Sequence, residues 1–161
     1  MPSKSYKFFD NYVLRIPWAS GGVSKSVEKD IVWDEHKTQV VSATLKGKIF
    51  ASGGTQARMS FNGSELIFCD ATLGDRTVQD TVDIAGLIIN GSNECLIEIW
   101  KNPFLPLEKI GRFSAEVIVE YEGESPEMKP TWEKYVMPAV AVASLGVGVV
   151  GLAVSLKKEG K

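Results

Sequence analysis

Residues 136–156 run for twenty-one positions without a charged side chain. As a helix rising about 1.5 Å per residue, such a run spans about 30 Å, the thickness of a bilayer's hydrocarbon core. Trp132 and Tyr135 flank it on one side and Lys157 and Lys158 on the other. Amphipathic rings at headgroup level and cations just outside the apolar region are the flanks a spanning helix uses. The other use of such a run is a helix buried in a protein assembly; length and flanks favour the bilayer. Ala139 and Ala143, and Ser144 and Gly148, stand at the spacing that lets helices approach closely. The expectation is a single-pass, C-terminal membrane anchor at 136–156 with a short basic tail at 157–161.

The chain before this run is long enough for one domain with a core of its own. Formal net charge is −2 and the last five residues are net basic, so that domain is acidic. Its lysines and arginines are scattered, which excludes the basic footprint of a nucleic-acid binder. The first ten residues lack an apolar stretch of signal-peptide length. Lys157 and Lys158 prefer the cytoplasm and would put the domain outside, whereas a domain without an export signal stays inside. The side of the membrane therefore stays open.

After residues 1–10, read as a polar and aromatic arm, short β-type runs alternate with turn chemistry up to residue 122. That pattern is the signature of a sandwich or barrel. In 42–51, Ala43, Leu45, Ile49 and Ala51 share one face, with Thr44, Lys46 and Lys48 on the other. Met59 and Phe61 face inward just before Asn62-Gly63, a pair that tolerates the positive φ of a tight hairpin. Cys95, Ile97 and Ile99 line a further inner face. Phe113, Ala115, Val117, Val119 and Tyr121 alternate with outward glutamates in the clearest period-two run of the chain. The acid-rich stretch 70–80 reads as loose. Gly123, Pro126 and Pro130 make 123–135 a stiff linker that lifts the domain off the membrane. The reading is all-β: a β-sandwich domain at 1–122, a linker at 123–135, then the anchor.

Residues 45–99 carry a strand ending in Asn62-Gly63, then Val82-Asp83-Ile84, a Gly91-Ser92-Asn93 corner and the aliphatic strand Leu96-Ile97-Glu98-Ile99. In this they resemble the jelly-roll module of galactose-binding-domain-like proteins, found in many glycoside hydrolases and cell-surface proteins. The resemblance implies a jelly-roll sandwich, with Asn93 bonding backbone in the corner, and makes a sugar one candidate ligand without assigning residues to it. The chain departs from that pattern in carrying its uncharged run directly after the sandwich.

Catalytic chemistry finds little footing. His36, the only histidine, sits in the turn-like Asp34-Glu35-His36-Lys37, with no nucleophile or orienting partner in view. No nucleophile elbow, phosphate loop or zinc spacing occurs. Asp70, Asp75, Asp80 and Asp83 read as solvated loop acids, with a structural calcium ion as the alternative. No other cofactor is expected. Asn62-Gly63-Ser64 and Asn90-Gly91-Ser92 match the glycosylation acceptor pattern and are equally ordinary turns. Cys69 and Cys95 fall in strand-like runs, where buried free thiols are the usual state, although one bridge is open to them. Trp18, Trp33 and Trp100 read as core fillers before sugar platforms. Phe104 and Leu105, set between two prolines, and Leu107 just after them form the candidate partner contact, with capping of an open sandwich end as the alternative. Taken together, the residues suggest a non-enzymatic, membrane-anchored structural module with protein partners, which include further copies of itself. A cell envelope or a virion membrane is its expected location. Its alternatives are a minor capsid protein linking a viral membrane to its shell, and a carbohydrate-binding surface protein.

Overall fold

The computed structural model describes residues 1–17, 24–101, 107–128 and 132–136, with 127–128 and 132–136 as backbone only. The described residues form ten strands: β1 (Ser3–Ile16), β2 (Ser24–Trp33), β3 (Thr38–Ala51), β4 (Thr55–Phe61), β5 (Ser64–Ala71), β6 (Arg76–Asp83), β7 (Gly91–Lys101), β8 (Lys109–Gly123), β9 (Glu127–Met128) and β10 (Trp132–Val136). A 3-10 turn, Ala85–Leu87, separates β6 from β7. Two antiparallel sheets result, β1-β8-β3-β6 and β10-β2-β7-β4-β5, with β9 also paired to β2. Leaving β9 and β10 aside, each sheet takes four strands and the chain crosses repeatedly between them. This strand order fits a jelly roll.

The alternating runs explain the core. Ala43, Leu45, Ile49, Ala51, Met59, Phe61, Cys95, Ile97, Ile99, Phe113, Ala115, Val117, Val119 and Tyr121 are all buried, on the faces the sequence assigns to them. Gly47 also faces inward, where a Cβ would lie 2.4 Å from Ile67 Cδ1; the missing side chain lets the two sheets close. The Asn62-Gly63 turn takes φ of 47° and 79°, the left-handed pair a two-residue hairpin needs.

Three stretches differ from the expectation. The arm at 1–10 is part of β1, pairing with β8 from Ser3 opposite Glu120 onward. Its alternation is hidden because the register slips between Lys7 and Phe9 and again between Phe9 and Tyr12. The slips bury both Phe8 and Phe9, which strict alternation forbids, and they bend an otherwise exposed edge strand. Most of the loose stretch 70–80 is strand: β5 runs to Ala71 and β6 starts at Arg76. As an edge strand β6 is exposed at six of eight positions, with only Val78 and Val82 turned partly inward, so its hydrophobic signal is weak. Finally, the stretch read as a linker adds strand pairs to the open edge of β2, Ile31 opposite Met128 and Glu28 opposite Trp132. Among the described residues no helix is long and apolar enough to cross a membrane, and 137–161 lie outside them.

Candidate functional site

At one end of the sandwich lie the described residues of four connections: those between β1 and β2, β3 and β4, β5 and β6, and β7 and β8. Side chains tie them together. Lys109 Nζ donates to the Gly53 carbonyl, and the Gly53 amide donates to Asp75 Oδ1 at 2.7 Å. The Ile110 amide donates to Ser52 Oγ at 3.0 Å, and Arg15 pairs with Glu108 at 2.7 Å. The buried Lys101 directs Nζ to the Pro17 carbonyl at 3.4 Å. On this tied platform Leu73 is fully exposed, at 103% of its reference surface, and Leu107 is 64% exposed. Leu107 is thus the described member of the expected partner contact. Phe104 and Leu105 lie outside the described residues.

The expected membrane flanks divide in the same way. Trp132 and Tyr135 stand in β10, in register with Glu28 and Lys25. Lys157 and Lys158 lie outside the described residues.

A second surface was not legible in the sequence. On the solvent side of β7, β4 and β5, Trp100 stands opposite Gln56, and Glu98 opposite Arg58, which in turn stands opposite Phe68. Trp100 therefore lies on the outer face, where core use was expected; its position is even-numbered in a strand whose odd positions face the core. Its Nε1 donates to Gln56 Oε1 at 2.8 Å, and the Phe68 ring lies 6.2 Å away, tilted by 36°. The Arg58 guanidinium sits 5.7 Å from the Trp100 ring centre while Nε donates to Glu98. Phe68 keeps 42% of its surface exposed. Strict alternation through Ile67, Phe68 and Cys69 is the signal that places Phe68 outside. Trp33 does fill the core, and Trp18 lies outside the described residues.

The opposite end of the sandwich is organised by a buried amide pair. Asn93 is wholly buried and fully engaged: Nδ2 donates to the Ile89 and Gly91 carbonyls at 2.7 and 3.1 Å, and Oδ1 accepts from the Ile89 amide at 2.8 Å. Asn62 Nδ2 donates to the same Oδ1 and to the Leu87 carbonyl, while Asn62 Oδ1 accepts from the Glu94 amide. This is the corner role the resemblance implies for Asn93, extended to a partner the sequence did not reveal.

The acids do not converge. Asp70 accepts from Thr72, Asp80 from Thr81 and Asp83 from Ala85, each from a residue one or two places on, while Asp75 accepts from Gly53 of the β3–β4 connection. The Thr72 hydrogen bonds hold Asp70 below the usual carboxylate range. Among the described residues no group of three metal-ligating side chains forms. His36 occupies an exposed turn, where its backbone amide donates to Asp34 Oδ1. Cys69 and Cys95 are free and buried. β4 lies between their strands, about 10 Å across, and Cys69 falls in register with Ile99, four residues along β7 from Cys95, which puts the two thiols well beyond disulfide reach. Burial pushes both thiols up.

No protein family and no curated protein matches the chain by sequence. Among solved structures it is similar to an α-L-rhamnosidase of Streptomyces avermitilis complexed with L-rhamnose, at 16% identity and a TM-score of 0.47, over 86% of this chain and 13% of that one. It is also similar to the T=1 particles derived from infectious bursal virus, at 14% identity and a TM-score of 0.40, over 98% of this chain and 48% of that one. The VP2 subviral particle of infectious bursal disease virus gives 14% identity and a TM-score of 0.40, over 98% and 49%. The chain spans half or less of each of these proteins, and at these scores none bears on what it does.

Proposed function

We propose that the chain is a non-enzymatic interaction module held against a bilayer by residues 136–156, a subunit of an envelope or other membrane-associated assembly. The observation that carries this is the path of the chain after β8. That strand ends at Gly123, far from the four-loop platform. The chain then returns along β2 through β9 and β10, so that Val136, opposite Ser24, brings it back to the platform end. There the uncharged run begins. The dispersed carboxylates and the isolated His36 support a binding role over a catalytic one. A minor capsid subunit linking a viral membrane to a protein shell is one form of this role. The test is alkaline-carbonate extraction of membranes from cells expressing the full chain. Retention in the pellet, lost when 137–156 are deleted, is the expected result; release of the full chain overturns the reading.

A second reading rests on the outer face of β7, β4 and β5. An exposed Phe68 beside Trp100, edged by Gln56, Arg58 and Glu98, offers an apolar plane with hydrogen-bonding groups at its rim, which is what the face of a pyranose requires. This fits the sugar-binding implication of the galactose-binding-domain-like resemblance. A glycan-array screen of the full chain tests it. Binding abolished by Phe68→Ala is expected, and no binding to any glycan at millimolar concentration overturns it.

A further inference from the structure

We infer that the outer face of the β1-β8-β3-β6 sheet binds an anionic glycan, with Lys7, Lys46, Lys48 and Arg112 as the cations that receive its sulfate or carboxylate groups. These residues are scattered along the sequence, and strand register gathers them. Lys46 and Lys48 share the solvent side of β3, about 7 Å apart. Lys48 stands opposite Ser114 of β8, and Arg112 lies two places along from Ser114 on the same side. Lys7 of β1 stands across Glu116 from Lys46, two strand spacings or about 10 Å away. All four cations are exposed. A groove of about 320 Å³ runs beside Lys7, Lys46 and Lys48, and a second of about 220 Å³ shares Lys48 with it and reaches Arg112. Asn11, held at a φ of 49° by the register slips of β1, donates its amide to Ser114 Oγ at 3.1 Å and shapes the wall beside Lys48.

The lack of partners singles these cations out. Elsewhere Arg15 pairs with Glu108, Lys37 with Glu124 and Arg58 with Glu98, while Lys101 and Lys109 bond the Pro17 and Gly53 carbonyls. Among the described residues Lys7, Lys46 and Lys48 have no hydrogen bond or ion pair, and Arg112 only rests its guanidinium 5.8 Å from the Phe50 ring centre. Lys29 on β2 is the remaining described cation in that state. Glu116, directly opposite both Lys46 and Lys7, accepts from Ser5 Oγ instead. Asp80 shares the inward parity of Val78 and Val82 and accepts from the Thr81 amide, which leaves Asp10, at the β1 slip, as the other acid on the groove wall. On a chain that is acidic overall, this stretch therefore presents positive charge. The cations spread too widely for one small anion and call for anionic groups repeated along a chain. Between them stand Ser114, Thr77, Gln79 and Thr81, whose hydroxyls and amides suit a polyhydroxylated ligand; beside Phe50 there is little apolar surface for the side chains of a peptide.

The experiment measures binding of the full chain, kept in non-ionic detergent, to dextran sulfate and to alginate, a polyuronate. Unmodified dextran and poly-L-glutamate are the comparison probes. Binding to at least one of the two anionic glycans, weakening as salt rises, is expected, and which of them binds names the anionic group. Lys46→Gln with Lys48→Gln should weaken it about tenfold, the scale of one or two charge-assisted hydrogen bonds. Both side chains are exposed and unpartnered, so the fold survives their loss. Lys29→Gln with Lys37→Gln removes the same charge elsewhere and should leave binding unchanged. An equal loss in the two double variants means that net charge alone draws the polymer, and the inference fails. It fails too if neither anionic glycan binds, or if unmodified dextran binds as well as they do. Poly-L-glutamate binding as tightly gives the face to an acidic protein segment and overturns the glycan assignment.

Discussion

At the end of the sandwich built from the β2–β3, β4–β5 and β6–β7 connections, polar side chains are inside: Asn93 is wholly buried and Asn62 hydrogen-bonds to it. At the opposite end no such buried amide pair is described; Leu73 and Leu107 stand open to solvent above a lattice of surface links, as Met1 and Ile89 do at the first end. The same two sheets run between both ends, so the contrast is not a matter of architecture. It separates groups that hold the fold from groups that the fold merely presents. A buried amide with all its partners is stabilising because removing it strands every one of them; an exposed leucine contributes almost nothing to folding and is free to serve contact.

The strongest way to break this contrast is to empty the buried corner. Asn93→Ala leaves the Ile89 amide and the Ile89 and Gly91 carbonyls without their partner. A loss of about 3 kcal/mol in chemical denaturation is expected, since stranded buried groups carry their full desolvation cost. A loss below 1 kcal/mol would mean that water replaces the amide and that the corner is not a structural lock.

The next effect appears only in alkali. Burial, with Tyr121 nearby, pushes the Tyr6 phenol from 10.0 up to about 12. Between those values the folded chain keeps a proton that the unfolded chain has lost. Stability is therefore fully present below pH 10 and falls as pH rises towards 12, by at most about 1.4 kcal/mol per pH unit from this group. Tyr6→Phe should flatten that limb of the stability profile; an unchanged alkaline slope would assign it to other groups.

These two positions also show how far the sequence could be read. Asn93 was legible through the resemblance of its Gly-x-Asn corner to the galactose-binding-domain-like module, which implies that it bonds backbone there. Tyr6 was not: the bulges around Phe8 and Phe9 erase the period-two signal that marks a strand. The same holds at the other terminus. Pro126 and Pro130 made 123–135 read as a spacer, yet Trp132-Glu133-Lys134-Tyr135-Val136 pairs with Ser24–Glu28 because β2 offers an open edge, a fact of topology that no local pattern carries. The sequence singled out Leu107 for exposure but not Leu73, since only the fold brings their two connections to one end.

A smaller effect separates the two glycosylation motifs. Asn62 has a φ of 47° and commits its amide to Leu87 and Asn93, whereas Asn90 is exposed and accepts one bond from the Glu35 amide. If the chain is passed through a secretory compartment, Asn90 should carry glycan and Asn62 should stay bare, because modification of Asn62 must first dismantle the corner. Peptide mass mapping after deglycosylation reads this directly, and occupancy at Asn62 would show that the corner closes late in folding.

The smallest expected effect is the sharpest test of the contrast. Leu73→Ser and Leu107→Ser, singly or together, should change folding stability by less than about 0.5 kcal/mol, the range of exposed substitutions away from caps, cores and networks. The links among Gly53, Asp75, Lys109, Arg15 and Glu108 involve neither side chain, so nothing in the platform should loosen. A midpoint shift in denaturation well beyond that range would mean that the leucines pack against something in the folded chain and are not simply displayed. The difference between the two ends would then be one of degree, and both would be devices for holding the sandwich together.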